Sequence, residues 1–164
     1  MKFLNDLAIA AIALCTVSCD DDDDPVKEEE KQEVVSPAES VKGDYEGSFD
    51  LMGEKVALTV DAQAQKDGKL TLVVPEFQVK AMGSVITMPS IKLDDVTIEK
   101  AEGKENEFTL TKDPFTIVAG EMSLANKKGL QGSIKGESME LNFDITPGAM
   151  PIPINFAFVG AKKK

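Results

Sequence analysis

The 164-residue chain has no histidine, no arginine and no tryptophan, a single tyrosine and two cysteines. Each absence removes a class of chemistry. Without histidine the chain lacks the commonest general base, the commonest metal ligand and the usual haem ligand. Without arginine it cannot hold a phosphate or carboxylate in a guanidinium fork. Both cysteines, Cys15 and Cys19, fall near the start, so the rest of the chain offers no thiol, disulfide or zinc thiolate. Neither a Ser-His-Asp nor a Cys-His nucleophile can be assembled. Paired carboxylates are what is left for acid–base work. Glycoside hydrolysis needs two of them facing each other at ~5 to 9.5 Å, and the spacing of acids along the chain supplies no such pair. The sequence therefore reads as a non-enzyme without cofactor or metal. Basic charge is short as well: the net charge is −11, which repels nucleic acid and anionic lipid head groups.

What is present at the start reads as a targeting segment. Met1 to Ser18 has a positive start at Lys2 and an apolar core from Leu7 to Val17. That core is too short to span a bilayer, which takes ~20 apolar residues. Ser18 is the small residue that precedes a cleavage site, and Thr16-Val17-Ser18-Cys19 resembles the lipobox of bacterial lipoproteins, with Cys19 as the acylated residue. Asp20, Asp21, Asp22, Asp23 and Asp24 follow at once. A cysteine followed by an acidic run resembles the lipoprotein export signal of Bacteroidetes. The resemblance implies a mature chain that begins at Cys19, is held in the outer membrane by a lipid anchor and faces the cell exterior. One acyl chain alone anchors only marginally, so the implied firm attachment needs several. The aspartates are read as a solvated signal rather than a calcium site, because calcium takes about six to eight arranged oxygens.

From Cys19 to Lys42 the chain is acidic and poor in apolar residues until Val34 and Val35. Low hydrophobicity with high charge predicts a disordered, extended tether. Pro25 and Pro37 discourage regular structure further. On this reading the tether adds nothing to folding, and a chain that starts at Ser40 melts like one that starts at Asp20.

Past Lys42 the pattern takes a period of two. Tyr45, Gly47, Phe49 and Leu51 share one parity, and Val56, Leu58, Val60, Ala62 and Ala64 share another. Asp67-Gly68 marks a hairpin before Leu70, Leu72 and Val74. Phe77 and Val79 continue, Gly83 interrupts, and a short apolar patch runs from Val85 to Met88. The inward parity is odd at Ile91 and Leu93 and even at Val96 and Ile98. A bulge at Asp94-Asp95 would reconcile the two, and it is preferred over a functional carboxylate pair because neighbouring strand residues point to opposite faces. Further short strands run to Ile134. The clearest two, Met139 to Ile145 and Ile152 to Phe158, flank Pro147-Gly148. Pro151 and Pro153 suit a strand start or an edge. No long stretch has helical period. The expectation is an all-β protein of eight to nine antiparallel strands, a sandwich or an up-and-down barrel, over residues 43–164.

Three stretches carry a family resemblance: Gly43-Asp44-Tyr45-Glu46-Gly47; Leu70-Thr71-Leu72-Val73-Val74-Pro75 with Phe77; and Pro147-Gly148-Ala149-Met150-Pro151 through Phe158-Val159-Gly160. In order and spacing they resemble the calycin-like β-barrel lipoproteins of Bacteroides. The resemblance implies a lipocalin-like barrel rather than an activity. True lipocalins carry Gly-x-Trp on the first strand with an arginine packed over it, and here Gly43-Asp44-Tyr45 stands in that place. Two partner classes stay open for the expected monomer. The first is a small apolar ligand inside the barrel, with Tyr45, Phe77, Met82, Met88, Phe143 and Phe156 as candidate contacts. The second is an envelope or host protein, bound as a non-enzymatic interaction or inhibitor-type module through Ala81 to Met88 and Ala149 to Ile152.

Overall fold

The computed structural model describes residues 35–51, 53–81, 84–119, 122–148 and 153–164. The leader, Cys19 and Asp20 to Asp24 lie outside the described residues, as do Met52, Met82 and Ala149 to Ile152.

Alternating sequence places every second side chain on one face of a strand. In β1 (Gly43–Leu51) the inward residues Tyr45, Phe49 and Leu51 are buried while Asp44, Glu46 and Asp50 are exposed. Similar alternation marks β2 (Glu54–Ala64), β7 (Glu107–Lys112), β10 (Leu130–Lys135), β11 (Ser138–Pro147) and β12 (Ile154–Lys162), whereas β3 (Leu70–Val74) also buries Thr71 and β6 (Ile91–Lys100) changes parity midway. These eight strands pair in chain order, all antiparallel, and β12 pairs back onto β1. The sheet is thus a closed up-and-down barrel, as the alternation predicts. Four further strands raise the total among the described residues to twelve. They form two hairpins: β4 (Phe77–Ala81) with β5 (Ser84–Met88), and β8 (Phe115–Ala119) with β9 (Met122–Asn126).

Inside the barrel, Tyr45, Phe49, Phe143, Phe156 and Phe158 pack with Leu70, Leu72, Ile91, Leu93 and Leu110, none more than 2% exposed. Each such side chain contributes about 1.5 to 3 kcal/mol of burial. β1 and β12 approach closely where Gly47 faces Gly160. A Cβ on Gly47 would strike the Val159 carbonyl, and one on Gly160 would strike the Phe158 ring. The glycines in the family-like stretches therefore serve strand contact and ring packing.

The bulge lies where the parity change puts it. Leu70 pairs with Val96 but Leu72 with Leu93, so β6 carries one extra residue. Asp95 takes it up at φ 59°, a left-handed conformation. Ile91, Leu93, Val96 and Ile98 all stay buried as a result.

The expected structureless tether does not reach Lys42. Residues Pro37–Val41 form a short helix, α1. Ser36 caps it by accepting a 3.3 Å bond from the Glu39 amide, and Pro37 occupies the first turn, where its missing N–H costs nothing. Ala38 and Val41, one turn apart, are 0% and 3% exposed and join the core alongside β2 and β6. The Tyr45 hydroxyl donates a 2.7 Å bond to the Val41 carbonyl. A chain that starts at Ser40 would lose three of the five residues of α1, buried Ala38 among them, so it is not equivalent to a longer one. Pro37 reads in the sequence as a breaker and acts as a helix start.

Candidate functional site

The up-and-down path sends alternate connections to opposite ends of the barrel. One end carries the three short turns β2–β3, β6–β7 and β10–β11, together with α1. Its turns are dense in charge: Lys66, Asp67 and Lys69; Glu102, Lys104 and Glu105; Lys135 and Glu137. Asp67-Gly68 is the expected tight turn, with Gly68 at φ 82° and a 2.8 Å bond from the Gln65 amide to the Lys69 carbonyl.

The other end carries both hairpins and the β1–β2 and β11–β12 connections. Here charge is sparse along the hairpins themselves, although Glu54 beside the β1–β2 turn and Glu76, Asp113, Lys127 and Lys128 at the hairpin bases also belong to this end. Lys80 is the only charged residue from Phe77 to Met88, Glu121 the only one from Phe115 to Asn126, and none occurs from Ile145 to Ile154. Val85 on β5 and Val118 on β8 are 58% and 75% exposed.

Beneath this hairpin end sits an aromatic cluster. Phe49 is at its centre, with ring centroids 5.5 Å from Phe156, 5.2 Å from Phe158 and 6.2 Å from both Phe143 and Phe77. Phe143 and Phe156 face each other across β11 and β12 at 5.3 Å, nearly parallel. Phe77 reaches this cluster from β4, which lies beside β2 and is hydrogen-bonded as a strand to β5 alone among the described residues. Phe115 reaches Phe143 at 6.4 Å from the second hairpin. The two hairpins thus lean over the barrel and lower an aromatic ring each into it.

The sequence-derived ligand contacts divide accordingly. Phe77, Phe143 and Phe156 meet in the cluster, and Met88 pairs with Phe77 across the hairpin. All four are buried, at 7% exposure or less. Tyr45 is at the opposite end under α1, its hydroxyl committed to Val41, and burial pushes its phenol pKa up to about 12. Met82 lies outside the described residues. Phe49 and Phe158, central to the cluster, were legible as inward residues but not as its hub.

Polar groups in the described wall are spent on structure. At the bulge, Thr71 donates to Asp94 at 2.8 Å, Gln65 donates to Thr71 at 2.7 Å, and Lys92 pairs with the Asp94 carboxylate at 3.0 Å. Lys92 first, then Thr71, hold the Asp94 carboxyl below the usual range. Lys128 and Asn155 do the same for Asp144. Buried Asn126 donates to the carbonyls of Gly129 and Asp144 and ties β9 to β11. Every buried side-chain nitrogen or oxygen among the described residues has a partner, so none of them points unpaired at a ligand. Nor do the described residues gather three or more acids in a metal-binding group. A shallow groove of about 340 Å³ on the outer wall, lined by Gln131, Ser133, Glu140, Asn142, Ala157 and Val159, contains no such polar anchor either.

With this geometry in view the comparisons decide the family. The model of the calycin-like beta-barrel domain matches residues 41–161. The chain belongs to the calycin-like β-barrel family. This is the family its three sequence stretches resemble. A crystal structure of a "putative outer membrane protein" from Bacteroides fragilis NCTC 9343 superposes with a TM-score of 0.61 at 17% sequence identity. The alignment covers 78% of this chain and 53% of that one, so the likeness concerns the fold, and this chain matches about half of the other protein. No curated protein matches the chain. The matched span begins at Val41, so most of α1 precedes it.

Proposed function

We propose that this calycin-like protein is a non-enzymatic lipoprotein of the outer membrane, acylated at Cys19, whose barrel presents a protein-binding surface at its hairpin end. One observation carries the reading: in a chain of net charge −11, two hairpins with a single charged residue each, Lys80 and Glu121, sit at one end and expose Val85 and Val118. Isolated exposed apolar residues are ordinary, but these two hairpins add no strand to the closed eight-stranded ring and carry little charge of their own. α1, the first described element, sits at the end opposite the hairpins. The export-like sequence Cys19 to Asp24 and the likeness to a B. fragilis outer membrane protein support the outer-membrane location, with the acidic signal favouring the outer face.

Site-specific photo-crosslinking on intact cells tests the reading. A photoreactive residue at Thr87 or Thr116 should give a discrete protein adduct. One at Glu102 or Glu137, at the charged end, should not. Adducts from the charged end alone, or from neither, contradict it.

A second reading has an observation of its own. Phe77 is a plug on a hairpin that pairs with no barrel strand, and its withdrawal would open the cluster of Phe49, Phe143 and Phe156 to a small apolar ligand. That ligand would have to replace the contacts of Phe77 as well as bind, which makes the closed interior the preferred state.

A further inference from the structure

The barrel itself has no edge, because β12 closes on β1 and β10 on β11. β8 does have one. It pairs with β9 from Phe115 to Ala119 and ends the ten-stranded sheet, with no strand on its other side among the described residues. Half of its main-chain donors and acceptors therefore have no strand partner among the described residues, although β6 lies near β8 without pairing to it.

Proteins usually blunt such an edge with charge, proline or a bulge. β8 has none of these. Its sequence is Phe-Thr-Ile-Val-Ala, its register with β9 is regular, and Val118 is the most exposed large apolar residue described. Three consecutive β-branched residues, Thr116, Ile117 and Val118, hold the strand extended.

We propose that the free edge of β8 accepts an extended segment of a partner protein as an added strand. The segment bonds to the main chain around Thr116 to Val118, carries no acidic residue, and sets a β-branched or aromatic side chain beside Val118. Main-chain bonds supply affinity in this mode and alternate side chains supply selectivity. The proposal rests on the hairpin end being the protein-binding end and names the place on it.

Charge favours a partner's segment over a second copy of this chain. Two copies each carry −11 and repel, whereas a neutral or basic segment is not repelled.

The test uses the mature chain and a capped peptide of alternating threonine and valine with a lysine at each end. Amide exchange followed by NMR should show alternate amides between Phe115 and Ala119 gaining protection when peptide is added. Val118→Lys should weaken binding at least tenfold without moving the melting temperature. Val159→Lys should leave binding intact, because Val159 is 60% exposed on β12, which is paired on both sides. Protection on β5 instead of β8, equal loss in both variants, or no protection at all would overturn the proposal. So would a peptide-free dimer that Val118→Lys abolishes. Crosslinks at the hairpin end without protection of β8 reject strand addition alone, whereas absence of both signals rejects the parent reading too.

Discussion

The rings of Phe77 and Phe49 lie 6.2 Å apart and 17° from parallel, although they belong to separate sheets. Phe49 is a wall residue of the barrel, and Phe77 is carried over the end of that wall by a hairpin. Their contact packs the first hairpin onto the barrel wall.

Replacing Phe77 with alanine should therefore destabilise the whole protein, by about 3 kcal/mol, the lower range for losing a buried phenylalanine. Urea denaturation followed by circular dichroism measures this. A loss below ~1 kcal/mol would mean that the hairpin is not packed on the barrel in solution.

Tyr45 is the only tyrosine and there is no tryptophan, so absorbance near 295 nm reports this phenol alone. Burial raises its folded pKa to about 12, above the ordinary value of 10.0. A pKa raised in the folded state gives stability that is complete below pH 10 and is lost as pH climbs towards 12. The titration should accordingly be displaced upward and coincide with alkaline unfolding. Tyr45→Phe should lose the O–H bond to Val41, cost about 1 kcal/mol at neutral pH, and flatten the alkaline decline.

Removal of α1 makes a third case. A chain that starts at Ser36 should be as stable as one that starts at Asp20. A chain that starts at Gly43 should lose about 3 kcal/mol, from the burial of Ala38 and Val41 and the hydroxyl partner of Tyr45. Thermal melts of the three compare them directly. Equal melting would show that α1 does not dock.

On the acid side the shifts run the other way. Asp94 and Asp144 have folded pKa values below the ordinary range, so their stabilisation is present above the unfolded value and fades as pH falls through the folded one. Stability should decline below about pH 4. Asp144→Asn should shrink that decline, and an unchanged acid limb would contradict the role given to Lys128 and Asn155.

Much of this fold was legible because period-two alternation states which side chains turn inward. The parity change from Leu93 to Val96 even located the bulge at Asp94-Asp95. α1 was not legible: five residues are too few for a helical period, and its proline resembles a breaker until Ser36 is seen as a cap. The hairpins were legible as strands but not as lids. Phe77 alternates like any wall residue, and alternation does not say which sheet a strand joins. The same limit hid the edge of β8. Its only trace in the sequence is the missing charge around Thr116-Ile117-Val118, which carries meaning once the strand is known to end a sheet.

Calorimetry with fatty acids, sterols, porphyrins and bile acids tests the central claim, that the interior is closed and recognition lies outside it. The account predicts no saturable heat with the wild-type chain. It predicts saturable binding of at least one apolar compound by Phe77→Ala, where a cavity opens against Phe49 and Phe156. Micromolar binding by the wild-type chain, lost when Phe143 or Phe156 is shortened, would contradict it and make the barrel a carrier.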